Sequence, residues 1–166
     1  MTARAANAAG FLACAALLAY AYYAQFVLRL EPCPLCIFQR MGVFAMACVF
    51  GVAALHDPKS RGRGVYGALV VLAALWTAGV AARQLYIQSL PPGSVPACGA
   101  SLDFMLKVFP FTDVIRKVLT GSGECARVDW RFLGLAMPGW VLIAALALGA
   151  WGIWANLLRR RPVLRF

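Results

Sequence analysis

Residues 37–55 read IFQRMGVFAMACVFGVAAL, and this stretch decides what kind of protein the chain forms. Its 19 residues carry one charge, that of Arg40 near the start. A helix of roughly 20 apolar residues is long enough to cross the hydrocarbon core of a bilayer. A spanning segment must satisfy its own backbone hydrogen bonds because no water is available there, and a helix does so. The stretch therefore predicts a transmembrane helix.

Three further apolar runs have the same character, so the chain is expected to cross the membrane four times. Of its 166 residues, 63% are hydrophobic and 13% are charged, whereas a soluble domain would carry about 25% charged residues. No internal repeat is present, which predicts a single domain over residues 1–166. The first run is not expected to be a cleaved signal peptide, because its apolar core is too long and the basic region before it holds a single arginine. The predicted fold is an all-α four-helix membrane bundle with spans at 8–28, 37–55, 64–82 and 138–158.

The distribution of basic residues predicts the topology. The net charge is +10, but the basic residues form short clusters between apolar runs, which is typical of a membrane protein and not of a nucleic-acid-binding one. With four spans, both termini lie on the side of the 56–63 turn. Each side carries eight basic residues, but those on the terminal side are packed beside helix ends, where the positive-inside rule acts. We expect cytoplasmic termini, with loops 29–36 and 88–137 outside, where disulfides persist.

Four of the six cysteines lie in these two outer loops. Cys33 and Cys36 form a Cys-Pro-Leu-Cys motif, and Cys98 and Cys125 lie in the long loop. A four-thiolate zinc site usually takes two Cys-x-x-Cys pairs, and c-type haem needs a histidine where Ile37 stands, so no metal is predicted. A structural disulfide stays possible for Cys98 with Cys125, but the small Cys33–Cys36 ring would stabilise little. The spacing favours redox chemistry.

The arginine at position 40 lies one helical turn beyond Cys36. Cys36 is expected to begin the second helix, where the positive end of the helix dipole favours a thiolate. At i+4, Arg40 shares a helix face with Cys36. Its guanidinium would favour the thiolate and donate a hydrogen bond to a ligand carbonyl. The alternative is an arginine that extends to the membrane interface, as arginines near helix ends do.

The remaining predictions concern the long loop and the isolated polar groups. Apolar and charged residues segregate at helical spacing over 101–119, which predicts a short helix in the membrane interface or packed on the bundle. Gly121-Ser122-Gly123 would act as a hinge before Cys125. Other residues are assigned non-catalytic places: Cys14 and Cys48 as small buried apolar groups, His56 in a solvated turn, and Gln84, Tyr86 and Trp130 at the interface.

Taken together, these motifs resemble the bacterial disulfide bond formation protein B (DsbB) family. The resemblance covers nearly the whole chain and rests on four spans and five sequence segments. These segments are CPLCIFQR at 33–40, VPACG at 95–99, GSGEC at 121–125, Trp130 with FLGL at 132–135, and MPGW at 137–140. The arginine four residues after the second cysteine is the most specific element. Ser89 departs from some family members, which have a histidine there.

The resemblance implies a protein-dithiol:quinone oxidoreductase of the bacterial inner membrane. Its partners would be a periplasmic DsbA-like thioredoxin-fold protein, the lipid bilayer and a membrane quinone, with ubiquinone preferred over menaquinone. Cys98 would form the mixed disulfide with the partner, Cys125 would exchange onto Cys33, and Cys36 would meet the quinone beside Arg40. Two alternatives stay open: loop disulfides that are purely structural, or a related oxidase with a different dedicated partner.

Overall fold

The computed structural model describes residues 2–58, 60–91, 123–128 and 130–158. Its helices are α1 (Ala3–Phe26), α2 (Pro34–His56), α3 (Ser60–Ser89), the short α4 (Gly123–Ala126) and α5 (Met137–Ile153), which continues as a π-helical segment, Trp154–Leu158. Two short strands, β1 (Arg131–Phe132) and β2 (Leu135–Ala136), pair antiparallel just before α5. Cys98 and the helix predicted within 101–119 lie outside the described residues.

The prediction of four membrane helices is confirmed. Four helices are long and apolar enough to cross a bilayer, and many large apolar side chains point away from the bundle, as lipid-facing residues do. The predicted bounds were short for α3, whose 30 residues exceed the predicted 64–82 at both ends. At about 1.5 Å per residue, such a helix is longer than the roughly 30 Å hydrocarbon core. The helix continues past Arg83 because a charge ends an apolar run without ending the backbone hydrogen bonding.

The start of α2 is set by the cysteine motif itself. Cys33 is the N-cap, with extended backbone, and its sulfur accepts a hydrogen bond from the Cys36 backbone N–H at 3.3 Å. Pro34 occupies the first turn, where its missing N–H costs nothing. The loop predicted as 29–36 is therefore shorter, because Cys36 already belongs to the helix.

The helices pack as a bundle in which α2 contacts α1 and α3, and α3 contacts α5. Phe50 lies at the centre of the core and is fully buried. Glycines allow close approach beside it: a Cβ at Gly10 would lie 2.9 Å from the Phe50 ring, and one at Gly152 would lie 2.5 Å from Val70. Cys14 is buried as predicted, but Cys48 is exposed on the bundle surface, so its predicted burial was wrong.

At the end of the bundle that holds the described chain ends, polar side chains join the helices. Asn7 and Asn156 exchange side-chain hydrogen bonds at 3.1 and 3.0 Å, and both are buried. Trp151 donates to the Ala6 carbonyl at 2.9 Å, and a buried arginine of α3, Arg63, donates to the backbone of α5's π-helical continuation. These contacts hold the helices together at this end of the bundle, which we call the closed end.

One prediction at the same end needs a correction. His56 is exposed as expected, but it is the last residue of α2 and not part of a turn. Its Nδ1 hydrogen-bonds with the Tyr66 hydroxyl at 2.9 Å. The chain reverses at Asp57, which adopts left-handed backbone with φ of 39°.

Candidate functional site

The Cys33–Cys36 pair lies at the opposite end of the bundle, at the start of α2. The two sulfur atoms are 2.7 Å apart. Cys33 is buried and Cys36 is partly buried, and the first turn of α2 holds both because Cys33 caps the helix that Cys36 enters. Two cysteine sulfurs held this close at a helix N-terminus are placed for disulfide exchange.

A third cysteine joins this pair from the other outer segment. Cys125 lies on α4, is 1% exposed, and packs in one buried cluster with Cys33, Leu35, Val80 and Ile87. Its thiol hydrogen-bonds with that of Cys33. This bond, followed by the contact with Cys36 and by burial, raises the pKa of Cys33 far above its usual value. Cys33 therefore lies between the other two sulfurs and holds its proton when the three are reduced.

Gln84 of α3 is the polar side chain closest to the sulfurs. Its Nε2 lies 3.3 Å from the Cys33 sulfur and 3.4 Å from that of Cys36. Its Oε1 lies 3.7 Å from the Cys36 sulfur and accepts a hydrogen bond from Gln39 Nε2 at 2.7 Å. Both amides are almost completely buried. The prediction that Gln84 is an interface residue was therefore wrong.

Arg40 lies one turn deeper on α2 and contacts α1. Its guanidinium donates to Gln25 Oε1 and to the Ala21 carbonyl, the latter at 3.0 Å. It also lies over the Tyr22 ring, 5.4 Å from the ring centre. The described polar contacts of the Cys36 sulfur are with Cys33 and Gln84. Arg40 thus anchors α2 to α1, and its predicted role beside Cys36 stays a prediction.

A cavity of about 620 Å³ lies beside these groups and is lined by residues of α1, α2, α3 and α5. Cys36, Gln39 and Arg40 line its polar side. Its larger apolar wall is built from side chains of α1, α5 and the β1–β2 hairpin, among them Leu17, Ala21, Trp130, Phe132, Val141 and Leu148. The cavity can therefore hold an apolar molecule with a polar head beside the Cys36 sulfur.

The hairpin before α5 covers one side of this cavity. Its turn needs left-handed backbone at Leu133 and Gly134, with φ of 49° and 82°. Trp140 of α5 donates to the Phe132 carbonyl at 3.2 Å and fixes the hairpin on the helix. Trp130 meets the Tyr20 ring edge-on at 6.2 Å, which brings the hairpin against α1. Trp130, predicted at the interface, is thus part of the cavity wall.

The structure brings together most of the residues that the sequence singled out. Cys33, Cys36 and Cys125 form one cluster, and Arg40 lines the same cavity as Cys33 and Cys36. No group of three or more metal-ligating side chains with the arrangement of a metal site occurs within the described ranges. Sequence reasoning missed the amides of Gln25 and Gln39, and it assigned that of Gln84 to the membrane interface. Their signal was present, because uncharged polar residues in spanning helices usually face the bundle interior.

Comparison with known proteins identifies the family of this chain. The sequence model of the family described as "Disulfide bond formation protein DsbB" matches residues 3–155. The chain is 50% identical over 152 residues to disulfide bond formation protein B of Hahella chejuensis, covering 92% of this chain and 91% of that protein. It is 53% identical over 145 residues to the protein of the same name from Nitrosococcus oceani, covering 87% and 86%.

A further relative supports the same assignment. Disulfide bond formation protein B of Methylococcus capsulatus is 51% identical over 149 residues, which cover 89% of this chain and 91% of that protein. The family match over residues 3–155 includes Cys33, Cys36 and Cys125 and nearly all of the four spans. The chain therefore belongs to the DsbB family, as a multi-pass inner-membrane protein with a disulfide-forming oxidoreductase role.

Proposed function

We propose that this protein reoxidises a periplasmic DsbA-type thiol oxidase and passes the electrons through two cysteine pairs to a membrane quinone. The observation that carries the proposal is the order of the sulfurs: Cys33 contacts both Cys125 and Cys36, and Cys36 lines a largely apolar cavity. Structural disulfides would not need one cysteine in contact with two others beside a cavity. The family membership supports the same reaction class.

The relay consists of successive thiol–disulfide exchanges. A thiolate of the reduced partner attacks Cys98 of the Cys98–Cys125 disulfide, and the second partner thiol resolves the mixed disulfide. The released Cys125 thiolate attacks Cys33, so that the Cys33–Cys36 bond breaks and its bonding electron pair leaves on Cys36. Attack by Cys98 on Cys125 then restores the first disulfide and leaves Cys33 and Cys36 reduced. Each exchange breaks one S–S bond and forms another.

The size and lining of the cavity support a quinone as its occupant, because a large apolar wall stands opposite a few polar side chains. A quinone supplies the oxidising power, since it accepts two electrons and two protons while dissolved in the bilayer. Arg40 would donate a hydrogen bond to a quinone carbonyl. An arginine has five N–H donors, and the two hydrogen bonds described for Arg40 use two of them. The apolar wall from α1 and α5 would hold the ring next to Cys36 and exclude water. We prefer ubiquinone to menaquinone as the acceptor.

The relay also requires a defined orientation in the membrane. We propose that both termini are cytoplasmic and that the cysteine cluster faces the periplasm, because basic residues are densest at 59–63 and 159–165. A reporter active only in the periplasm should be silent when fused after Phe166 and active when inserted near Gly93. The reverse result would exclude a periplasmic partner.

The test of the reaction is oxidation of a reduced thioredoxin-fold protein by the purified protein in detergent. We expect oxidation only when a quinone is added, with one quinone consumed per disulfide formed. Ubiquinone and menaquinone analogues compared at equal concentration would identify the acceptor. Thiols that react slowly and equally with any reductant, with or without quinone, would instead support purely structural disulfides. Oxidation of a different thioredoxin-fold protein alone would indicate another dedicated partner.

The order of transfer can be tested by trapping. Replacement of Cys125 removes the partner of Cys98 in the loop disulfide and blocks the exchange onto Cys33. In this variant Cys98 is a free thiol, which can attack the disulfide of the oxidised thioredoxin-fold partner and release one partner thiol. Because Cys125 is missing and cannot displace the partner, a covalent complex through Cys98, two residues after Pro96, should accumulate. Mass spectrometry of the complex identifies the linked cysteine. A link through Cys33 would refute the proposed order.

A further inference from the structure

The amide of Gln84 is buried beside the Cys33 and Cys36 sulfurs, a position that a role at the membrane interface or in packing would not require. It is 3% exposed, and its Nε2 is within 3.4 Å of both sulfurs of the Cys33–Cys36 pair. Its two neighbours along the helix face differ from it: Thr77 bonds to its own helix through the Ala73 carbonyl, and Gln88 donates to the Arg127 carbonyl. Only Gln84, among these polar residues of α3, contacts the cysteines.

A second amide fixes which end of Gln84 faces the sulfurs. Gln39 Nε2 donates to Gln84 Oε1 at 2.7 Å, so the oxygen is held by a donor and the NH₂ group is directed at the sulfurs. Gln39 is 4% exposed, which removes water as a competing partner. In surroundings this poor in water, a fixed donor acts more strongly on a nearby charge than it would in solution.

We propose that Gln84 is a catalytic residue that stabilises the thiolate released at Cys36, and that Gln39 is the positioning residue that orients it. When the Cys125 thiolate attacks Cys33, the Cys33–Cys36 bond breaks and negative charge appears on the Cys36 sulfur. The Gln84 NH₂ lies 3.4 Å from that atom before the charge develops. This inference rests on the proposed function only in requiring that the Cys33–Cys36 pair cycle between disulfide and dithiol.

The chemistry of an amide suits this position better than that of a charged group. A neutral donor can be buried without the large desolvation penalty of a lysine or an arginine. The same side chain can serve both protonation states, since its Oε1 lies 3.7 Å from the Cys36 sulfur and can accept from the thiol. The described hydrogen bonds of the Arg40 guanidinium are made to α1. The side-chain N–H that faces the Cys36 sulfur from another helix is therefore that of Gln84.

The proposal predicts a change in redox equilibrium with a defined sign. A donor to a thiolate stabilises the reduced pair more than the disulfide, so its loss should make the pair a weaker oxidant. Hydrogen bonds to charged groups contribute enough to change an equilibrium constant by about tenfold to a hundredfold. We expect Gln84→Leu to shift the Cys33–Cys36 equilibrium toward disulfide by about tenfold, which is about 30 mV for this two-electron couple.

Near-isosteric variants separate this role from packing. Gln84→Glu keeps the shape but replaces the donor with an acceptor, so we expect a shift at least as large as that of Gln84→Leu. Gln39→Glu should attract the Gln84 NH₂ away from the sulfurs and cause a shift of the same sign. Thr77→Val is the control, because it removes a buried polar group from the same helix without a contact to the cysteines.

The experiment equilibrates each full-length protein in detergent with glutathione buffers of graded potential, followed by differential alkylation and mass spectrometry of the Cys33–Cys36 peptide. The pH midpoint of Cys36 alkylation, measured in parallel, should move upward in the Gln84 variants. Folding is checked by helical content and by elution as a single species. Equilibrium constants within twofold of the parent in both Gln84→Glu and Gln39→Glu would overturn the inference.

Different results would contradict the role of Gln84 and the proposed function. This measurement uses neither quinone nor partner protein. A parent protein whose Cys33–Cys36 pair forms no reversible disulfide would contradict the proposed function itself. A reversible pair whose equilibrium ignores Gln84 and Gln39 would leave the proposed function standing and would return Gln84 to a packing role.

Discussion

The two ends of the bundle use buried polar side chains in opposite ways. At the end that holds Asn7 and Asn156, the two amides hydrogen-bond to each other and join α1 to the π-helical continuation of α5. At the cysteine end, the Gln39 amide donates one hydrogen bond to the Gln84 oxygen, and the Gln84 NH₂ group faces the two cysteine sulfurs. A self-satisfied pair adds rigidity, whereas a pair with one group directed at a reactive atom serves chemistry.

The same contrast holds for the packing around α1 and α5. The closed end is packed so tightly that glycines are needed next to Phe50 and Val70. At the cysteine end the two helices enclose a cavity of about 620 Å³ beside Cys36 and Arg40. Tight packing at one end can hold the two helices in register while the other end accommodates a ligand. Substitutions at the closed end should therefore change stability, and substitutions at the cysteine end should change turnover.

The largest effect is expected for the cysteines. Cys36→Ser should abolish turnover, because a hydroxyl at this position cannot take part in thiol–disulfide exchange, and single replacement of Cys33, Cys98 or Cys125 should do the same. The matched control is the double variant Cys14→Ala/Cys48→Ala, which should keep the parental rate. Quinone reduction by a reduced thioredoxin-fold partner measures both. Loss of activity in the control would contradict the assignment of the redox pairs.

A smaller effect on turnover is expected for Arg40. Arg40→Lys keeps the charge but loses the planar, multi-donor group, so the apparent KM for quinone should rise about tenfold or more while the step with the partner protein stays largely intact. Arg40→Ala should impair quinone use further and weaken the thiolate at Cys36. Steady-state kinetics with quinone and partner varied separately, together with the pH dependence of Cys36 alkylation, measures this. Unchanged quinone kinetics in both variants would leave Arg40 as an anchor of α2 to α1.

At the closed end, a change in stability is expected without a change in mechanism. Gly152→Ala places a Cβ 2.5 Å from a methyl group of Val70 and should lower the free energy of unfolding by about 1–3 kcal/mol through overpacking. Gly79→Ala is the matched control, since a Cβ there meets nothing within 4 Å, and helix propensity should make it neutral or stabilising. Thermal unfolding in detergent compares the two, and equal stability would contradict the tight packing at this end.

The smallest effect is expected for the asparagine pair. Asn156→Leu leaves the Asn7 amide buried without its partner and should cost about 1 kcal/mol of stability, a typical value for such bonds in water and in membranes. The double variant Asn7→Leu/Asn156→Leu should recover part of the loss, because no polar group is then left unpaired. Unfolding in detergent gives the coupling between the two sites, while turnover should remain near the parental rate. A large loss of turnover in Asn156→Leu would break the division between the two ends.

Local sequence signals accounted for much of the site. The Cys-Pro-Leu-Cys motif predicted that Cys36 stands at the start of the second helix, and the structure begins α2 two residues earlier, at Pro34, with Cys33 as its N-cap. Arg40 was recognised because i and i+4 residues share a helix face. The orientation of Cys48 was not recognised, since an apolar run that is hydrophobic all round gives no sign of which face meets lipid and which meets the core.

What the sequence by itself determined was the solvent of the protein and the number of its spans, because length and apolar composition are enough to favour a helix in a bilayer. The approach of Gln84 to Cys33 and Cys36, 51 and 48 positions away, depended on how α3 packs against α2. The same is true of Asn7 with Asn156 and of Cys125 with Cys33. Periodicity assigns a residue to a face of its own helix, but only packing between helices decides which residue of another helix it meets.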